Sequence, residues 1–359
     1  MPFAAAHKTL VHLADGRELI YFDAEAGPDA ARAAYPDTRP LDPGPGSGES
    51  RFDPLPDELI GPLPHRLRRG GGRCEVVAFT SDHDATFASL GEDRVQLILA
   101  AWTDRTANLF ALPGIQQVYV FENAGPEIGV TINHPHGQIY AFPYLTPKMS
   151  RVVQRGRAHA ARTGGNLHDD VLAAELAGGR VVLQNAEWVA FVPFAARWPY
   201  EAHLYPRRRV PDFTGLDDAQ RAAFPAAYLD LLGRFQRLFG ADAPPVPYIA
   251  AWYQAPSAEP RAVALHVEVF TVRRAPGRLT YLAGTESGMG AFMQDIAPER
   301  AADRLRAAAA GPVPAGDLGQ LPGRRVVAQR RVPLAHPGHR RALVRLRRPG
   351  RPEIGRAHV

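Results

Sequence analysis

His134, His136 and Gln138 occupy alternate positions in the run Asn133-His134-Pro135-His136-Gly137-Gln138-Ile139-Tyr140. On an extended strand, residues i, i+2 and i+4 face one side, so these three would line a single face. Imidazole is a competent nucleophile near neutral pH because part of it is unprotonated there. A carbonyl that accepts the proton of one ring nitrogen leaves the other nitrogen free to attack. A glutamine amide can donate to a phosphoryl oxygen without adding charge. Upstream, Asn123, Gly125 and Gly129 suit a close approach of backbone to a phosphate. A lone strand histidine is usually structural. Two histidines and a glutamine on one face, beside a glycine-bearing loop, point to a phosphate site or a metal site, and the residues alone leave both open.

The elements that must hold these residues are legible from periodicity. Residues 117–121 and 137–142 read as strands, as do residues 75–79. Residues 93–109 carry Val95, Ile98, Ala101, Trp102 and Leu109 at helical spacing. Asp15-Gly16 between apolar runs at 11–13 and 19–22 predicts an N-terminal hairpin, and residues 26–50, rich in Pro and Gly, predict a loop. The second half repeats the vocabulary. Residues 180–184 and 188–192 predict a hairpin, 202–206 a strand, and 217–239 a helix with an acidic start and a possible kink at Pro225. Strands follow over 248–253 and 262–270, then a helix over 298–309. Strand–helix–strand–strand order twice over predicts an α+β fold of two related halves, each a mainly antiparallel sheet with packed helices. The halves are set at 1–147 and 148–310.

The segment Glu122-Asn123-Ala124-Gly125 through Gly129, Thr131, His134-Pro135-His136-Gly137-Gln138-Ile139-Tyr140 resembles the active-site segment of the galactose-1-phosphate uridylyltransferases. These form part of the transferase branch of the histidine-triad (HIT) superfamily, whose hydrolase branch carries a third histidine where Gln138 stands. Arg51-Phe52-Asp53-Pro54-Leu55 with His65-Arg66, Thr80-Ser81-Asp82-His83, Trp198-Pro199-Tyr200-Glu201, Leu265-His266-Val267-Glu268 and Gly284-Thr285-Glu286 resemble further family segments. The resemblance implies two HIT-like halves and a ping-pong exchange of UMP between UDP-glucose and galactose 1-phosphate. It gives His136 as the nucleophile, the His134 carbonyl as its brace, and Gln138 as a donor to a phosphoryl oxygen. Asn123, Gly129 and Thr131 would surround the phosphates. Arg66 and Arg69 would meet the sugar-phosphate end across a homodimer interface, and Glu286 falls in the substrate loop. The alternatives are a related transferase acting on ADP-sugars or dinucleoside polyphosphates, and an inactive nucleotide-binding remnant.

The sequence also departs from that pattern. The family's C-x-x-C motif and N-D-F segment are absent, and only Gly70-Gly71-Gly72-Arg73 stands in their place. The resemblance gives His83 and His134 as zinc ligands beside the missing cysteines, which leaves two where structural zinc takes four. Tyr253 and Glu268 stand where relatives with a second, iron-type site have histidine, so only His266 remains and no iron is expected there. Ala124 replaces a basic residue. No organic cofactor is implied.

The chain has 359 residues and a formal charge of +5. Lys8 and Lys148 are its only lysines, so the basic balance is written in arginine. Residues 311–359 carry eleven arginines against Asp317 and Glu353, a charge of +9, which leaves residues 1–310 at −4. The excess therefore belongs to a segment without strand or helix periodicity, and it predicts no nucleic-acid partner. That segment is expected to be non-native or disordered, since residues 353–359 match one translated frame of a common sequencing adapter. A single cysteine, Cys74, excludes an intramolecular disulfide. With no secretory pattern in the first twenty residues and no apolar run of membrane length, a cytoplasmic protein without a membrane partner is expected.

Overall fold

Strand alternation and one unbroken ladder build the protein. The computed structural model describes residues 72–130, 134–240 and 243–309, and the backbone of four short strand segments before them. Ten strands make one sheet: β1 (His7–His12), β2 (Glu18–Asp23), β3 (Arg73–Ala78), β4 (Gln117–Ala124), β5 (His136–Phe142), β6 (Val181–Gln184), β7 (Trp188–Phe191), β8 (Tyr200–Pro206), β9 (Tyr248–Tyr253) and β10 (His266–Thr271). Their order is β1-β2-β3-β5-β4-β9-β10-β8-β7-β6. Every pairing in it is antiparallel. The α+β expectation holds, with one refinement. The sheets of the two halves are continuous, joined where Phe121 of β4 pairs with Ala251 of β9. The inner order β3-β5-β4 is mirrored across that seam by β8-β10-β9.

Six helices accompany the sheet among the described residues: α1 (Glu92–Phe110), α2 (Pro147–Thr163), α3 (Leu167–Leu176), α4 (Asp218–Arg237), α5 (Gly284–Met289) and α6 (Pro298–Ala307). On α1, Val95, Ile98, Trp102 and Leu109 are buried as their spacing predicts. Asp217 and Gln220 close a reciprocal capping box that starts α4, and the helix continues through Pro225. Neither α2 nor α3 was expected. On α2 only Met149, Val153 and Gly156 are buried, on α3 only Leu172 and Glu175, so both carry a thin apolar signal.

Neighbouring strand residues point to opposite faces, and the two faces pack differently. Val118, Val120, Ile139, Trp252 and Val267 join Trp102, Phe213, Phe224 and Tyr228 in the main core with α1, α4 and α6. On the other face, Met149 and Val153 of α2 lie against Ala251 and Tyr253, and Leu172 of α3 against Val189, Phe191 and Tyr205. No described helix is long and apolar enough to cross a membrane.

Glu122 faces the main core, where the Tyr248 hydroxyl donates to its Oε1 at 2.9 Å. Burial pushes its pKa up to about 8. An unfolded glutamate titrates near ~4.3, so the folded state holds the extra proton between the two values. Stability from this group is therefore full below about 4.3 and is lost as pH rises through about 8. The contribution of Glu122 to the melting temperature should fall between pH 5 and pH 8. Glu122→Gln should flatten that slope in a pH series of thermal melts.

Candidate active site

His136 opens β5, and its Nδ1 lies 2.7 Å from the carbonyl oxygen of His134. A carbonyl only accepts, so Nδ1 carries the proton and Nε2 keeps its lone pair. Gln138 pairs with Val76 of β3 and Phe121 of β4, which fixes its side chain on the same half-exposed face as His136. The Tyr140 hydroxyl donates to Gln138 Oε1 at 3.1 Å. That bond orients the amide and leaves its N–H₂ end as the donor available to a ligand. Asn123, two residues beyond Phe121, shares this face.

Gly137 between them is required by packing. A Cβ there would stand 2.6 Å from Cζ of the buried Phe79 ring. The Phe79 amide also donates to the Pro135 carbonyl at 3.0 Å, so Phe79 holds both sides of the His136 backbone. Gly137→Ala should displace the ring or the strand by a large fraction of an ångström. Steady-state kinetics should show kcat lower by about 10²-fold with a smaller change in KM.

The loop after β4 is shaped by glycine and tied down from the other half. Gly125 has φ +103°, and a Cβ there would meet Pro247 Cβ at 2.8 Å. Gly129 has φ +85° with open space around it. Glu127, between them, pairs with Arg273, whose Nη1 donates to the Pro244 carbonyl at 2.7 Å. Thr131 and Arg66 lie outside the described residues, and Arg69 is described only as backbone of a two-residue strand. The tail at 311–359 also lies outside them. Glu286 sits in α5 with both carboxylate oxygens engaged by its own loop: Ala283 N at 3.1 Å, Thr285 Oγ1 at 3.0 Å and Met293 N at 3.1 Å. These backbone and hydroxyl donors hold its pKa below the usual glutamate range.

His83, on an exposed turn, meets His134 with 2.9 Å between the two Nδ1 atoms. A tetrahedral zinc bound at about 2.05 Å would set two such atoms about 3.3 Å apart, so the pair itself could receive the ion. Two donors are half of a closed structural site, and the described residues supply no third at this position. Among the described residues the set is therefore incomplete, and no step of the chemistry is routed through a metal.

A second group of titratable side chains escaped the sequence reading as a cluster. Glu201, His203 and Glu268 bring one metal-competent atom each within 4.8 Å of one another. Its signal was there: Glu201-x-His203 and His266-x-Glu268 alternate on paired strands, with His203 opposite Glu268.

One antiparallel sheet thus presents a carbonyl-braced histidine and a glutamine two residues on, on a single face, beside a glycine-bent loop. The chain belongs to the galactose-1-phosphate uridyl transferase family and is an enzyme of that class. The family's N-terminal domain matches residues 64–146 and its C-terminal domain residues 153–315. A galactose-1-phosphate uridylyltransferase from Streptomyces lividans is 44% identical, covering 83% of this chain and 97% of that protein. One from Thermotoga maritima is 32% identical over 71% of this chain and 80% of its own length. A solved structure described as a uridylyltransferase superposes with a TM-score of 0.66 at 32% identity, covering 72% of this chain and 82% of that one. The Streptomyces alignment runs over 349 positions but covers only 83% of the 359 residues here, so that relative carries residues with no counterpart in this chain.

Proposed function

We propose that the protein exchanges UMP between UDP-glucose and galactose 1-phosphate through a uridylyl-histidine intermediate. The observation that carries this reading is the His136 ring, protonated on Nδ1 by its bond to the His134 carbonyl, beside the Gln138 amide. His136 Nε2 attacks the α-phosphorus of UDP-glucose. The nitrogen–phosphorus bond forms, the bond to the bridging oxygen breaks, and glucose 1-phosphate leaves. Galactose 1-phosphate, already anionic near neutral pH, then attacks the same phosphorus and returns the bonding pair to Nε2. Gln138 donates to a non-bridging oxygen in both steps, where charge builds as the phosphorus passes through five-coordination. Asn123 and Gly129 are assigned to the phosphates, and Thr131 is assigned there by resemblance. Arg66, Arg69 and Glu286 are assigned to the sugar-phosphate end by resemblance.

The reading includes two functional halves, 1–147 and 148–310, and a cytoplasmic homodimer. Tyr281, Leu282, Met289 and Met293 are exposed apolar residues in and around α5, which supports a protein partner there. The test is to incubate purified protein with UDP-glucose alone and then with galactose 1-phosphate. A stoichiometric burst of glucose 1-phosphate, UMP trapped on His136 and UDP-galactose on adding acceptor are expected. Exchange that proceeds only when both substrates are present, with no labelled enzyme, overturns the covalent route.

A further inference from the structure

The mirror symmetry of the sheet places a second histidine where the first has His136. Phe121 opposite Gln138 is repeated by Ala251 opposite Glu268, so Glu268 is the counterpart of Gln138 and His266 that of His136. The brace is repeated as well, since His266 Nδ1 lies 2.8 Å from the Ala264 carbonyl. The surroundings are not. His266 is buried between Tyr205, with ring centroids 4.5 Å apart, and Tyr253 at 5.0 Å. Its Nε2 faces Glu268 Oε1 at 3.9 Å rather than open space.

Glu268 Oε2 accepts from Lys148 Nζ at 2.7 Å and from Arg197 Nη2 at 2.7 Å. Glu201 Oε2 accepts the backbone N–H groups of Arg197 at 2.7 Å and Trp198 at 3.2 Å, and its Oε1 lies 2.9 Å from His203 Nε2. Two carboxylates thus face two side-chain cations, and the histidines complete the set without charge when neutral. A divalent ion added to it would leave an excess of two positive charges in a buried site, at a large desolvation cost. Burial works against the charge on Glu268, but the neighbouring cations, Lys148 and Arg197 among them, hold its carboxyl well below the usual range. Both Glu201 oxygens and Glu268 Oε2 are thus hydrogen-bonded by protein donors as they stand.

We propose that this mirror site is a protein-cation brace rather than a metal centre: Lys148, from the first turn of α2, and Arg197 supply the positive charge, tying α2 to β10 and closing the second histidine position to chemistry. Lys148 also donates to the Tyr253 hydroxyl and lies 4.1 Å from that ring's centroid, which ties the brace to the tyrosine stacked on His266.

The test uses the full chain, metal analysis and thermal melts. Wild type should melt at the same temperature with chelator, Zn²⁺ or Fe²⁺, and Glu268→Gln should leave its metal content unchanged. Lys148→Met should lower the melting temperature by about 3–6 °C, and Zn²⁺ or Fe²⁺ should restore part of that loss. The restoration should disappear in Lys148→Met/Glu268→Gln. A stoichiometric metal in wild type that Glu268→Gln removes overturns the proposal. So does a Lys148→Met protein that neither loses stability nor gains a response to metal. If Lys148→Met does not fold, the wild-type and Glu268→Gln metal contents decide alone.

Discussion

Replacing His136 with glycine is expected to lower UMP exchange by about 10⁴- to 10⁶-fold, the scale on which covalent enzymes lose turnover with their nucleophile. The fold should survive the change. The imidazole lies on the half-exposed face of β5, and its recorded polar partner among the described residues is a carbonyl of its own segment. Glycine in a strand costs only about 0.5–1 kcal/mol. Thermal melts should therefore shift by a few degrees at most while activity vanishes. A companion variant separates nucleophile from brace. The oxygen that holds His136 belongs to the backbone of His134, so His134→Ala keeps it and loses only the imidazole contact with His83. Its loss should be about 10-fold. A His134→Ala protein as inactive as His136→Gly would mean that the His83–His134 contact, and not the carbonyl, organises the site.

The strand that carries His136 and Gln138 was legible because alternation puts both on one face, with Gly137 between them. What the sequence did not disclose was the reason for that glycine, since Phe79 lies far from it in the chain and meets it only when β3 pairs with β5. The α1 stripe was readable because Val95, Ile98, Trp102 and Leu109 are large and evenly spaced. The stripe on α2 was not, because only Met149 and Val153 mark it among exposed arginines, and Gly156 stands at a buried position where a Cβ would strike the Ala262 carbonyl at 2.8 Å. The β4–β9 seam had no local signature at all. Both strands read correctly as strands, yet partner choice between halves is a long-range property of the assembled sheet. The same holds for Lys148, one of two lysines in the chain, whose partner Glu268 is 120 residues away.

Gln138→Glu is expected to be the most damaging near-isosteric change in the site, lowering kcat/KM for UDP-glucose by about 10³-fold or more. Loss of a preorganised donor to a developing oxyanion costs about 10²- to 10³-fold by itself. The carboxylate then adds repulsion toward the phosphate it should receive. The protein contains its own comparison, because the mirror position already holds a carboxylate. Glu268 is tolerated there because Lys148 and Arg197 lie against it. Position 138 has Val76 and Phe121 as its cross-strand neighbours and Tyr140 as its recorded side-chain partner, none of them a cation. An introduced carboxylate at 138 therefore stands uncompensated by its neighbours among the described residues. Two readouts follow from that cause. Activity lost in Gln138→Glu should recover partly as pH falls toward the carboxylate range, whereas Gln138→Met, which lacks the donor without adding charge, should show no such recovery. Raising the salt concentration should narrow the gap between the two variants, since screening weakens the repulsion and leaves the missing donor untouched. Equal losses in both variants at every pH and salt concentration would place Gln138 outside reach of the phosphate.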